Sequence, residues 1–144
     1  MELNRKIRRL LNAQLRDMTV EDIMAPEVVT INEDASLEQL YSLISEYHHV
    51  GYPVVNKENK VTGVISYKDL FRVTRDDWGN IHVKERMSTL LVCVSLGDGV
   101  IVAVEKMTEE GIGRLLVMEG DTLVGVVSRS FIMDGAVKRL LTQR

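Results

Sequence analysis

Two serine-led segments hold the most specific chemistry in this 144-residue sequence: Gly63-Val64-Ile65-Ser66-Tyr67-Lys68-Asp69 and Gly125-Val126-Val127-Ser128-Arg129-Ser130-Phe131. Ser66 and Asp69 have the spacing of a helix capping box, in which hydroxyl and carboxylate each satisfy a free backbone N–H. His48 and His49 are types suited to metal binding or proton transfer. Adjacent helical residues diverge, however, so a surface or interface role is expected for them. Cys93 sits in an apolar run and reads as a buried small hydrophobe. As the single cysteine it excludes an internal disulfide and a cysteine-based zinc site. Gly111-Ile112-Gly113 is too short for a phosphate-cradling loop, and Arg114 has Glu109 and Glu110 nearby as surface partners. No nucleophile–base set, His-Glu-x-x-His or Walker loop is visible, so no enzyme, metal or resident cofactor is expected.

Composition narrows the classes further. The chain is 45% apolar and 27% charged, with only two prolines, as in an ordinary globular protein. No apolar run reaches the roughly 18–20 residues of a membrane span. The polar start Met1-Glu2-Leu3-Asn4-Arg5-Lys6 predicts no signal peptide. A cytoplasmic location follows as the default. The net charge of −3 argues against general nucleic-acid binding. That total is uneven: Arg5, Lys6, Arg8, Arg9 and Arg16 against Glu2 give residues 1–16 a net +4, leaving −7 on the remainder. Leu3, Ile7, Leu10, Leu11 and Leu15 form a helical apolar stripe on this arm. It reads as an arm packed on the domain or a partner. Membrane contact is not expected except as part of a longer membrane protein.

The elements that position these residues come from an internal repeat. Val20-Glu21-Asp22-Ile23-Met24 matches Val83-Lys84-Glu85-Arg86-Met87 at an offset of 63. The same offset carries Leu37, Leu40, Tyr41 and Ile44 onto Val100, Ala103, Val104 and Met107. Gly63-Val64-Ile65-Ser66 meets Gly125-Val126-Val127-Ser128 at 62, one residue being lost at a turn. Each copy reads as strand, amphipathic helix, hairpin, helix. The strands are expected at Val28–Ile31 and Leu90–Val94, and the hairpins at Tyr52–Ile65 and Leu115–Val127. Ser36 and Gln39 mark a capping box. The expected organisation is a basic arm over 1–17, a first repeat over 18–73, a linker over 74–82, a second repeat over 83–137 and a basic tail over 138–144. The fold class is α+β: two β-α-β-β-α units packed by their sheets with pseudo-two-fold symmetry, since one such unit alone buries too little surface. Trp78, in the linker, is expected to pack on a neighbouring subunit.

The order Val-x-x-x-Met, short strand, amphipathic helix, Tyr-Pro-Val-Val-Asn and Gly-Val-Ile-Ser-x-x-Asp resembles a cystathionine-β-synthase (CBS) domain. Two in tandem resemble a Bateman module, over roughly residues 18–137. The resemblance implies a regulatory sensor of adenine-containing ligands (AMP, ADP, ATP or S-adenosylmethionine), held in a cleft between the repeats. It also implies a homodimer with four CBS units in a disc, and an effector protein or domain not identified by the sequence. Carried over residue by residue, it gives a cleft of Ser66, Lys68 and Asp69 with Val92, Cys93, Arg114 and Leu116. Asp69 would accept ribose hydrogen bonds, Val92 and Cys93 would lie against adenine, and Arg114 would pair with phosphate. A second cleft, of Val29, Thr30, Tyr52, Pro53, Ser128, Arg129 and Ser130, departs from the pattern. Phe131 stands where an aspartate is expected, and Asp134 lies one turn later. The Asp69 cleft is therefore expected to dominate. A structural or dimerisation module without ligand is the alternative reading. The chain is also similar to CBS pairs appended to intramembrane zinc metalloproteases, and would then be a cytosolic regulatory tail.

Overall fold

A computed structural model describes residues 2–25 and 27–142; the side chains of residues 2–4, 7 and 11 fall outside that description. Leu3, Ile7 and Leu11 of the expected arm stripe are therefore not placed. The chain forms two units, one of residues 29–91 and one of residues 1–28 with 92–144. Each carries a three-stranded sheet and helices, a mixed α+β architecture.

In the unit of residues 29–91, β1 (Ile31–Asn32) pairs parallel with β2 (Gly51–Val55), through Ile31 opposite Val54. Parallel pairing requires a crossover. Helix α3 (Leu37–Tyr47) supplies it, started by the expected box: Ser36 Oγ accepts from Gln39 N at 3.1 Å, and Gln39 Oε1 accepts from Ser36 N at 2.8 Å. Strand β3 (Val61–Ser66) returns antiparallel to β2 and feeds the short α4 (Tyr67–Phe71). Leu37, Leu40, Tyr52, Val54, Ile65, Leu70 and Val83 form its buried core.

The other unit repeats the plan. Strand β4 (Cys93–Ser95) pairs parallel with β5 (Arg114–Glu119), which pairs antiparallel with β6 (Thr122–Ser128). Helix α5 (Val100–Glu110) crosses between β4 and β5, and α6 (Arg129–Thr142) follows β6. Helix α1 (Glu2–Arg16) packs against α6, and the short α2 (Val20–Ile23) follows it. Leu15, Met18, Val20 and Ile23 join Val100, Ala103, Leu115, Val127, Ile132 and Ala136 in the core.

The repeats and the units divide the chain differently, because the lead-in of each repeat belongs to the other repeat's unit. Met87-Ser88 runs onto β3, where Val64 and Ser88 exchange backbone hydrogen bonds of 2.9 Å each. Ala25 and Val126 do the same on β6, at 2.9 and 3.1 Å. The approach is close because both facing positions lack a side chain. A Cβ on Gly63 would lie 2.5 Å from Met87 Sδ, and one on Gly125 2.7 Å from Met24 Sδ. The lead-ins also serve the free donors that open the crossover helices. Leu37 N donates to Ile81 O at 3.0 Å, and Val100 N donates to Met18 O at 2.9 Å.

Several expectations change. The first strands begin later and are shorter than Val28–Ile31 and Leu90–Val94, because ladder partners on β2 and β5 start only at Ile31 and Cys93. Trp78 does not wait for another subunit. It is buried in its own unit, its Nε1 donates to Val73 O at 2.9 Å, and its ring meets Tyr41 and Phe71. Cys93 is half-buried instead of buried. Helix α6 continues to Thr142, so the basic residues Lys138 and Arg139 belong to it.

Candidate functional site

Ser66 ends β3 and caps α4. Its N–H and Oγ both donate to Asp69 Oδ2, at 2.9 and 3.2 Å. Asp69 is therefore a capping carboxylate first. Its other oxygen, Oδ1, faces Arg72 Nη1 at 3.7 Å, beyond good hydrogen-bond distance. The Asp69 side chain is 22% exposed, so solvent reaches the carboxylate while Oδ2 holds the turn. Lys68 is exposed beside it. Sequence reasoning missed Arg72, although its spacing of three from Asp69 on a helix signals the pair.

Val92, Cys93, Arg114 and Leu116 come together in the other unit. Leu116 N donates to Val92 O at 3.2 Å, and Cys93 sits opposite Leu116 in the parallel register. Leu116 is buried, whereas Val92, Cys93 and Arg114 are half-buried. Arg114 opens β5 opposite Ser128. Burial pushes the Cys93 thiol above its ordinary pKa, an effect opposed by the charge of Lys106. Lys106 Nζ also donates to Cys93 O at 2.7 Å. That lysine was not singled out in the sequence, because its contact depends on how α5 lies over β4.

The residues of the expected second cleft are placed as follows. Val29 and Thr30 are half-buried just before β1. Tyr52 and Pro53 are buried in β2, and the Tyr52 hydroxyl accepts from His49 N at 3.1 Å. Ser128 is buried; its Oγ lies 3.0 Å from Ser130 Oγ and accepts from Phe131 N at 3.2 Å, capping α6 without a carboxylate. Arg129 Nη2 donates to Ile112 O at 3.2 Å, and its N–H to Gly113 O at 3.1 Å. The arginine thus holds a turn. Phe131 is 43% exposed and offers no acceptor where Asp69 stands in the other unit. His48 closes α3 in a left-handed conformation, and His49 lies against Tyr47 and Tyr52. Among the described residues no three His, Cys, Asp or Glu side chains converge as a metal site would require.

The CBS domain family matches residues 20–76 and 83–130. The chain is 34% identical over 68 residues to inosine-5'-monophosphate dehydrogenase of Bifidobacterium longum, covering 47% of this chain and 12% of that protein. It is 29% identical over 122 residues to a zinc metalloprotease of Methanocaldococcus jannaschii, covering 82% of this chain and 32% of that protein. It thus spans well under half the length of these curated relatives. Its fold is that of the CBS domain of a bacterial CNNM/CorC family Mg2+ transporter in complex with ATP. The TM-score is 0.80 at 22% identity, over 88% of this chain and 92% of that one. With two matched segments spanning most of its length, the chain belongs to the CBS domain family and contains a tandem pair of such domains.

Proposed function

We propose that this chain is a regulatory module that senses an adenine-containing small molecule, with Asp69 as its ribose-binding carboxylate. The single observation behind the reading is the division of labour at Asp69. Ser66 donates twice to one oxygen, while the other faces Arg72 across a long contact on a side chain that is 22% exposed. The ATP complex of a similarly folded CBS domain supports the ligand class. Val92, Cys93, Arg114 and Leu116 are assigned to adenine and phosphate by the family resemblance. Regulation requires that the ligand bind two conformations with different affinity, since equal affinity shifts nothing. A homodimer and a separate effector complete the proposal.

The test is a calorimetric and thermal-shift panel of AMP, ADP, ATP and S-adenosylmethionine on wild type, Ser66→Ala and Asp69→Ala. A bound ligand raises the melting temperature by mass action. Asp69→Ala should abolish that rise, whereas Ser66→Ala, which removes only a capping hydroxyl, should lower the ligand-free melting temperature and keep most of the rise. Unchanged affinity in Asp69→Ala defeats the assignment. A second reading is favoured by the metalloprotease relative, whose length this chain covers by only 32%. In it the module is the regulatory part of a larger protease, and adding ligand to the full-length protein should change proteolytic rate.

A further inference from the structure

The turn that carries Asp69 differs in charge from its counterpart in the other repeat. Asp69 and Arg72 stand three and six residues after Ser66, where Phe131 and Asp134 stand after Ser128. The acid of the pair has become apolar, and the base has become an acid. Lys68 is likewise replaced by Ser130. Arg129, in the place of Tyr67, donates to Ile112 O and so holds its own turn. Arg72 ends α4 with helical backbone angles, φ −77° and ψ −13°, which sets it on the helix surface beside both Asp69 and Lys68. Its Nη1 is 3.7 Å from Asp69 Oδ1, and its side chain is 76% exposed. That contact is too long to fix the guanidinium, whose several donors leave it able to face Asp69 and a second anion together. The next cation, Arg75, is engaged elsewhere: it lies over the rings of Tyr41 and Trp78, at 5.1 and 5.4 Å from their centroids.

From this arrangement we infer that Arg72 is a specificity-determining residue, selecting a phosphorylated adenine nucleotide over adenosine and S-adenosylmethionine. The inference rests on Asp69 as the ribose carboxylate. A guanidinium beside that carboxylate stands beside the ribose, and the 5′ substituent of the ligand is one furanose ring away. A phosphate in that place meets a cation whose fork of donors suits it. Adenosine offers a neutral hydroxyl there and gains no charge-assisted bond. S-adenosylmethionine offers a sulfonium cation and is repelled. Residues 17–144 carry a net −7, so the overall field does not draw in an anion and a local cation must. The counterpart turn, with exposed Asp134 in the place of Arg72, would repel the same phosphate.

The experiment is calorimetric titration of the full chain with adenosine, AMP, ATP and S-adenosylmethionine, for wild type, Arg72→Gln, Arg72→Lys and Asp69→Ala. Wild type should bind ATP more tightly than adenosine, and S-adenosylmethionine no more tightly than adenosine. Arg72→Gln should shrink the ratio of ATP to adenosine affinity about tenfold, the loss of one charge-assisted hydrogen bond. Arg72→Lys keeps the charge without the fork and should retain part of the ratio. Arg72 is exposed, and an unchanged ligand-free melting temperature shows that both variants fold. A ratio unmoved in Arg72→Gln overturns the inference. So does a wild type that binds adenosine or S-adenosylmethionine as tightly as ATP. In those cases a loss of all binding in Asp69→Ala leaves the sensor reading standing. If Asp69→Ala changes no affinity, or none of the four compounds binds, that reading falls and this inference with it.

Discussion

Replacing Gly63 by alanine tests how the lead-in of the second repeat is held on β3. The new methyl carbon would lie 2.5 Å from Met87 Sδ and 2.7 Å from the Ser88 carbonyl oxygen. The thioether can rotate away. The carbonyl cannot, because Val64 and Ser88 are tied by two backbone hydrogen bonds of 2.9 Å. A carbon–oxygen contact relaxes at about 3.3 Å, so strand and lead-in must part by roughly half an ångström. Overpacking of this kind costs about 1–3 kcal/mol. Weakening the two bonds adds about 0.5–1.5 kcal/mol each, against roughly 0.4–1 kcal/mol gained from a less flexible unfolded chain. The expected net loss is about 2–4 kcal/mol, a fall in melting temperature of roughly 5–15 °C for a chain of this size. Gly51→Ala is the control. Its Cβ would meet nothing closer than Ile65 O at 3.5 Å, so its stability should stay within about 1 kcal/mol of wild type. Calorimetry gives the two melting temperatures, and amide exchange should show protection lost first at Val64 and Ser88. Equal melting temperatures for Gly63→Ala and Gly51→Ala would refute the packing argument.

Other expectations are independent of that one. His48 closes α3 at φ 60°, where Gly111 closes α5 at φ 66°. His48→Gly should relieve left-handed strain and stabilise the protein by about 0.5–1 kcal/mol in urea unfolding; a loss of stability would refute the strain argument. Burial raises the Cys93 pKa, so its alkylation rate should still climb above the pH at which a free thiol levels off. If adenine lies on Val92 and Cys93, saturating nucleotide should slow that alkylation, and unchanged rates count against the placement. Lys84 lowers the pKa of Asp34 through a 2.9 Å hydrogen bond. A depressed carboxylate stabilises the fold above its unfolded pKa and loses that contribution as pH falls through its folded one. Lys84→Met should therefore move the Asp34 midpoint upward in an NMR titration and flatten the acid side of the stability profile; an unmoved midpoint removes the pair.

Local order was legible wherever a short-range rule governs it. The Ser36–Gln39 and Ser66–Asp69 boxes and the apolar faces of α3 and α5 follow from spacing alone, because each involves neighbours within about four residues, and the hairpins follow from β-rich runs joined by short turns. The first strands were placed early because β-branched runs say where a strand can form and not where its partner begins. Trp78 was misplaced for a related reason. Its partner Tyr41 lies far back on α3, while Phe71 ends α4 and Val73 O follows just after it. At the candidate site the sequence marked Ser66 and Asp69 but was silent on the long Arg72 contact and on Lys106 at Cys93 O. Those depend on where side chains end after packing.

The sequence by itself determined that this is a doubled β-α-β-β-α chain. It also determined that Phe131 breaks the equivalence of the two serine-led turns, since phenylalanine has no acceptor to offer. Tertiary structure decided the rest. It gave each repeat's lead-in to the other repeat's sheet, where glycine leaves room for methionine and a backbone pair replaces a side chain. It tied one Asp69 oxygen into a cap and set the other beside Arg72 at 3.7 Å.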